Sequence, residues 1–257
     1  RLYRKNIDGS WELVHDNINV SQPSDTFTRS SVAYKQDGTQ VAANVPRYEA
    51  GKFGQAIMVE EGTTNLLTAN QSSVETDLTG FITWCQDWAI TLTRDTSIAW
   101  HGSASAKLTR TGTSQQDMVL YVEANVTPGQ VYSFSVKARS NIEKQIDTAI
   151  EWYTASYQFI SYNGGEAVVA QPGIWYTIKV QNAIAPANAA ICRLTLWLRG
   201  ASQGDTLWWD GAQLEQKPYP TSWVPGGSTR SPEILTIPTA GVLNPQEGTV
   251  ECWVYVN

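Results

Sequence analysis

The chain has 257 residues, of which 42% are apolar and 16% charged, and carries a net charge of -6 with a pI near 5.0. That length holds one large or two modest domains, and the acidic balance excludes a nucleic-acid partner, whose phosphates call for clustered Lys and Arg. Aromatic usage leans toward rings with a polar handle, 11 Trp and 11 Tyr against 5 Phe, so rings suited to a core or to an exposed platform are in excess.

No apolar run approaches the length of a membrane span and no charged-then-apolar leader is present, so no membrane partner is expected. The start at Arg1 instead of Met reads as a fragment or a processed product. Residues 1–40 are polar, with short strand-like pieces such as Trp11 to Val14. Residues 45–62 (VPRYEAGKFGQAIMVEEG) read as a turn at Gly51 and Gly54 feeding an alternating strand through Ala56 to Val59.

Alternating segments with turn signals between them then recur at 88–93, 105–109, 118–126, 131–139, 148–161, 175–181, 191–199 and 206–214. Eight or so short strands joined by Gly, Pro, Asn and Ser turns predict an antiparallel β-sandwich. Helix is nearly absent; the window Asn141 to Trp152 spaces Ile142, Ile146 and Ile150 like a helix, but the aromatics beyond it favour strand. The cysteines, Cys85, Cys192 and Cys252, are odd in number and lack CxxC spacing, which fits neither a disulfide scaffold nor a zinc site. Cys192, in ICRLTLWL, reads as a small buried hydrophobe.

Period-two reading assigns faces. Leu194, Leu196 and Leu198 point inward, leaving Arg193, Thr195, Trp197 and Arg199 outside. Met118, Leu120 and Val122 turn Tyr121 and Glu123 out, and Tyr132, Phe134, Val136 and Ala138 turn Lys137 and Arg139 out. Ile150 and Trp152 face inward with Glu151 and Tyr153 outside, and because a one-residue slip exchanges these faces, Glu151 and Trp152 both stand as candidates. The outward sets mix rings with Arg, Lys and Glu, as a sugar site requires: flat rings to stack on the C–H faces and rigid polar forks for the hydroxyls. Trp197, Tyr121, Arg139 and Glu151 suit such a groove, with loop residues Trp84 and Trp88 as walls. The opposing reading is that most tryptophans are core or edge-covering rings, Arg on Trp being a common structural pair.

The stretch 206–225 (TLWWDGAQLEQKPYPTSWVP) places Asp210 among Trp208, Trp209 and Leu214, where a bare charge loses several kcal/mol of hydration and so demands a hydrogen bond, ion pair or metal. Pro218, Pro220 and Pro225 then end the sheet.

This segment resembles the closing strand and exit of galactose-binding-like jelly rolls, in particular the carbohydrate-binding modules that accompany xylanases and glucanases, with their Asp-Gly-x-Gln-Leu-Glu strand and Thr-Ser-Trp exit. Residues 64–75 (TNLLTANQSSVE), 100–108 (WHGSASAKL) and 127–138 (TPGQVYSFSVKA) resemble further landmarks of that family in the same order. The resemblance implies a structural calcium held by Glu75, Asp210 and the Gly102-Ser103 region, Ser103 being the candidate there, against the alternative that Asp210 only caps a turn and Glu75 is solvated. Residues 45–62 and 230–257 resemble opening and following strands of concanavalin-like (laminin-G-like) lectin jelly rolls, and ANVPRY at 43–48 ahead of GTTNLL at 62–67 is similar to bacteriophage tail proteins.

The expected organisation is all-β: a jelly-roll module over 64–226 inserted between residues 1–63, with the opening strands of a second β-sandwich, and residues 227–257, where that incomplete domain resumes. The insertion requires strands near Ile57 and Val250 to pair; the alternative makes the flanks separate pieces. The expected function is non-catalytic carbohydrate binding, on a bacterial surface polymer or plant-type glycan, by a virion or extracellular modular protein. Two alternatives stand beside it: a structural tail module contacting other virion subunits, and a glycoside hydrolase fragment with Glu123 and Glu151 on adjacent strands. Only His15 and His101 occur, and no HExxH or Gly-x-Ser-x-Gly motif is present, so catalysis has little support.

Overall fold

A computed structural model describes residues 2–5, 11–15, 26–51 and 54–237. They fall into two compact units: Thr63–Thr229, and the described residues on either side of it, up to Gly62 and from Arg230 onward. The lectin-like GKFG turn includes residues 52–53, and Val250 and Cys252 belong to 238–257; all of these lie outside the described residues.

The larger unit is a sandwich of ten strands: β1 (Phe81–Cys85), β2 (Ile90–Asp95), β3 (Ser105–Arg110), β4 (Gln116–Asn125), β5 (Val131–Ser140), β6 (Lys144–Tyr153), β7 (Phe159–Ala170), β8 (Tyr176–Ile184), β9 (Ile191–Ala201) and β10 (Thr206–Glu215). They form two five-stranded antiparallel sheets, the first ordered β2-β3-β10-β5-β8 and the second β7-β6-β9-β4-β1. The ambiguous window at 141–152 is strand from Lys144 onward, with Ile142 in the bend before it. The window 148–161 is not one strand but the hairpin β6-β7, whose turn contains Tyr157, with Tyr157 N donating to Thr154 O at 3.0 Å.

The inward faces are the predicted ones. Leu194, Leu196 and Leu198 of β9, Met118, Leu120 and Val122 of β4, and Phe134, Val136 and Ala138 of β5 are all fully buried in one core. Full burial of each large aliphatic or Phe side chain there contributes about 1.5–3 kcal/mol. Trp209 centres the core, edge-on to Phe81 at 5.7 Å and tilted on Phe134 at 5.6 Å, with its Nε1 donating to Gln71 O at 3.0 Å.

The sequence pattern missed the short helix α1 (Ala69–Ser73). Its signal is Thr68-x-x-Gln71: the Thr68 hydroxyl accepts from Gln71 N and the Gln71 side chain accepts from Thr68 N, a capping box that satisfies two otherwise orphaned donors. Ser72 Oγ donates to Ala212 O at 2.7 Å, which fastens the helix to β10. The two ends of the unit are tied by Asn65, whose Nδ2 donates to Ala212 O and Val224 O, both at 2.9 Å.

In the other unit, Thr26–Thr28 pairs antiparallel with Ile234–Thr236. Beside them lies a cluster of buried charges that no sequence pattern announces. Glu233 bridges Arg29 and Arg47, each at 2.7 Å, and Glu60 bridges Arg47 at 2.9 Å and Arg230 at 2.7 Å. The residues come from both ends of the chain and are adjacent only after folding. Among the described residues, no helix is long and apolar enough to cross a membrane.

Candidate functional site

The two sheets differ in what covers their outer faces. On the first sheet, Trp208 of β10 is only 4% exposed, flanked by Lys107 Nζ at 5.3 Å and the Arg139 guanidinium at 5.6 Å from its ring centre. Farther along β10, Gln213 and Glu215 are covered by the exit segment: Val224 N donates to Gln213 Oε1 and Thr221 N to Glu215 Oε2. The chain's own residues cover the outer side of β10, the central strand of that sheet.

The second sheet presents its outer face in rows fixed by register. One row runs Trp84, Val119, Trp197, Asp147; the next Ile82, Tyr121, Thr195, Ala149, Gly164; the third Glu123, Arg193, Glu151, Tyr162. The short side chains of Thr195, Ala149 and Gly164 make a low middle row between taller ones. Trp84 is 40% exposed and Tyr162 66%. From β1 to β7 the face spans four strand spacings, about 19 Å, enough for an extended chain of rings.

Its polar groups are held in place. Arg193 lies between two phenol rings, 4.9 Å from the centre of Tyr121 and 4.3 Å from that of Tyr153, with Nε donating to Glu123 Oε1 at 2.7 Å. The Tyr153 hydroxyl donates to Glu151 Oε2 at 2.8 Å; burial, together with that carboxylate, pushes its pKa up to about 12, so it stays a donor. Arg199 grips Asp147 through Nε at 2.6 Å and Nη2 at 2.7 Å, and reaches Asp117 at 3.0 Å. Guanidiniums fixed by paired carboxylates lose little freedom when a ligand binds.

Of the sequence candidates, Trp84, Tyr121, Glu151 and Trp197 share this face. Trp152 does not reach it: the ring is fully buried between the sheets, 6.1 Å from Tyr132, with Nε1 donating to Asn163 Oδ1 at 2.7 Å. The register of β6 follows the Ile146-Ile150 face, and the one-residue slip does not occur. Arg139 lies on the outer face of the other sheet, because β5 belongs to the first sheet. Glu123 and Glu151 are not on adjacent strands; β9 runs between them and Arg193 separates their side chains. Trp88, 67% exposed, sits in the turn after β1. Tyr157 and Tyr162 were missed because the β6-β7 turn was hidden inside a segment read as one strand, although Thr154-Ala155-Ser156 is a polar, turn-like break in it.

A second constellation gathers two carboxylates at the loop 100–103. Asp210, fully buried, accepts from Trp100 N at 2.8 Å, His101 N at 3.0 Å and Gly211 N at 2.7 Å. Glu75 accepts from Ser103 N at 3.0 Å and Ser103 Oγ at 2.8 Å. Gly102 has a left-handed φ of 67°, and a Cβ there would meet the Glu75 carboxylate at 2.1 Å. Burial first, with the Glu75 charge adding to it against the three amide donors, pushes the Asp210 pKa up to about 7. Two like-charged hard oxygen donors at one loop suit a divalent cation chemically. Among the described residues no group of three or more His, Cys, Asp or Glu gathers, so such an ion would draw its remaining ligands from backbone carbonyls or water. Ser103, whose carbonyl is the expected ligand, donates to Glu75 through its N and Oγ.

No protein-family model matches the chain, and no curated protein matches it. Solved structures similar to it include the enzymatically active domain of bacteriophage CBA120 tailspike protein 4, at 11% identity and a TM-score of 0.48, covering 58% of this chain and 21% of that one. Carbohydrate-binding modules from the β-sandwich superfamily match at 14% identity and a TM-score of 0.47, covering 74% and 84% of the two chains. A family 61 carbohydrate-binding module solved with β-1,4-galactotriose matches at 15% and 0.43, covering 60% and 99%. The chain therefore spans about a fifth of the tailspike domain it matches. At these identities and scores the likeness assigns no residue a role.

Proposed function

We propose that the larger unit is a non-catalytic carbohydrate-binding module whose ligand lies across the outer face of the second sheet. The observation that carries this is the contrast between the two outer faces: one has its central strand covered by the chain itself, while the other keeps Trp84 and Tyr162 exposed beside guanidiniums and carboxylates already locked in position. Rings offer stacking surface to sugar C–H faces, and the fixed polar groups offer bidentate hydrogen bonds to vicinal hydroxyls.

The charge of the face narrows the ligand. Strands β4, β6 and β9 direct four carboxylates outward, Asp117, Glu123, Asp147 and Glu151, against two guanidiniums, Arg193 and Arg199. An acidic polysaccharide would meet net repulsion, so the ligand is a neutral glycan. A shallow face gains little beyond stacking, and affinity for one site falls in the micromolar to millimolar range, raised by copy number. Both carboxylates considered for glycoside hydrolysis are engaged, Glu123 by Arg193 and Glu151 by Tyr153.

Glu75 and Asp210 would hold a structural calcium, which would neutralise the pair and pin the loop 100–103 to the last strand. Residence in a phage tail or a secreted modular protein rests on the sequence resemblance at 43–48 and 62–67. Glycan-array screening followed by calorimetry tests the binding assignment: it predicts capture of neutral β-linked oligosaccharides that is lost in Trp84→Ala with the melting temperature kept. Release of reducing ends from a bound polysaccharide would refute the non-catalytic assignment.

A further inference from the structure

Five non-glycine residues among those described have a left-handed φ. Asn44 and Asn182 are of the type that tolerates it, and Val74, fully buried, closes helix α1. The remaining two are exposed aromatics, Trp88 at φ 56° and Tyr157 at φ 61°, with 67% and 56% of their surface open. A bulky side chain rarely adopts this conformation unless its surroundings impose it.

In both cases the surroundings are built. Trp88 lies between Asp87 and Ala89, and the fully buried Arg110 holds both neighbours: Nη1 and Nη2 donate to the Asp87 carboxylate at 2.7 and 2.6 Å, and Nη1 also to Ala89 O at 2.7 Å. The turn is closed by Trp88 N donating to Cys85 O at 3.3 Å and Ile90 N donating to Trp88 O at 3.0 Å. Tyr157 sits in a turn closed by its own N on Thr154 O at 3.0 Å and by Thr154 N on Gln158 O at 2.9 Å. Its hydroxyl donates to Glu123 Oε2 at 3.3 Å, which carries the ring back over the outer face of the second sheet.

The two turns lie at opposite corners of that sheet. Trp88 follows edge strand β1, whose Cys85 stands in the row of Met118, Leu198 and Ile146; Tyr157 follows β6 beyond Tyr153, at the other edge. The corners are separated by three to four strand spacings, about 14–19 Å, and by seven residues along β6, about 23 Å. The diagonal between them crosses Trp84 on β1, Tyr121 on β4 and Arg193 on β9.

We propose that Trp88 and Tyr157 are the two end platforms of a diagonal site for a long glycan chain, each held rigid and exposed at a cost in backbone strain. This rests on the carbohydrate reading of the same face and adds to it the direction and length of the bound chain. A ligand too short to reach the corners gains nothing from either ring.

Calorimetry with cellohexaose, xylohexaose and β-1,4-linked galactohexaose, and with the disaccharide of each series, tests this on the wild type, Trp88→Gly and Tyr157→Gly. For whichever hexasaccharide binds, each variant is expected to lose about tenfold in affinity, near 1.4 kcal/mol, with the disaccharide unaffected. Glycine accepts a left-handed φ, so the melting temperature stays level or rises by up to about 4 °C. Unchanged hexasaccharide affinity in both variants, an equal loss for disaccharide and hexasaccharide, or a lowered melting temperature would overturn the end-platform assignment while leaving the face itself standing. A wild type that binds none of the six sugars overturns both.

Discussion

The guanidinium carbon of Arg199 stands 4.5 Å from the centre of the Trp197 ring, while Trp84 meets the same indole edge-on, with ring centres 6.2 Å apart. Arg199 therefore occupies one face of Trp197, and the ring with more open surface is Trp84. Trp84→Ala is expected to lower affinity for a neutral oligosaccharide by tenfold or more and Trp197→Ala by a comparable amount. A melting-temperature change within about 4 °C, measured alongside calorimetry, separates lost binding from lost folding for Trp84.

Trp152 makes the converse case. Removing this sealed indole should cost about 3–5 kcal/mol of stability, read as a lowered denaturation midpoint. Below its melting temperature the variant should bind glycan with wild-type affinity, because the ring never meets the outer face.

Asp210 sets a pH dependence whose sign follows from burial. Its folded pKa of about 7 lies above the ordinary value of 3.8, so the folded chain retains this proton to higher pH than the unfolded chain does. The contribution to stability is fully present below the unfolded value and is lost as pH rises through about 7. In chelator, wild-type stability relative to Asp210→Asn should therefore fall between pH 5 and pH 8. Added calcium should restore it, raising the melting temperature more at pH 8 than at pH 5. No response to calcium or chelator at either pH would remove the ion from the account.

Asp95 acts in the opposite direction. Burial opposes its ionisation, but hydrogen bonds from Ser97 and Trp208, with Lys107 nearby, outweigh it and bring the pKa down to about 2. Its stabilisation is present above the unfolded value and is lost as pH falls through about 2. Asp95→Asn should flatten the acid limb of the stability curve.

Glu233 joins Arg29 and Arg47 with no exposed side-chain surface on any of the three. Glu233→Ala strands buried guanidiniums and should cost about 3–5 kcal/mol. Chemical denaturation would report this as an earlier transition in the unit built from the two chain flanks.

The sandwich was legible because period-two alternation is a local signal: Leu194-Leu196-Leu198 and Met118-Leu120-Val122 state their faces without reference to the rest of the chain. The requirement that Asp210 find partners was legible for a similar reason, since a carboxylate among indoles has few alternatives. What was not legible depends on strand order. Arg139 and Trp197 look alike as outward residues, and only the placement of β5 and β9 in different sheets separates them. The Arg29-Arg47-Arg230-Glu60-Glu233 cluster joins positions about 200 residues apart, such as Arg29 and Glu233, and no spacing rule connects them. Tyr157 was hidden because the β6-β7 turn uses Thr, Ala and Ser where Gly or Pro would have marked it.

The most direct measurement is a titration of the isotope-labelled protein with a neutral hexasaccharide, following the tryptophan indole N–H resonances. Glycan binding on the outer face of the second sheet predicts progressive shifts at Trp84 and Trp197, and at Trp88 for a long ligand, with Trp152, Trp208 and Trp209 unmoved. Shifts centred on Trp208 or Trp223, or none at any concentration across neutral glycans, would contradict it.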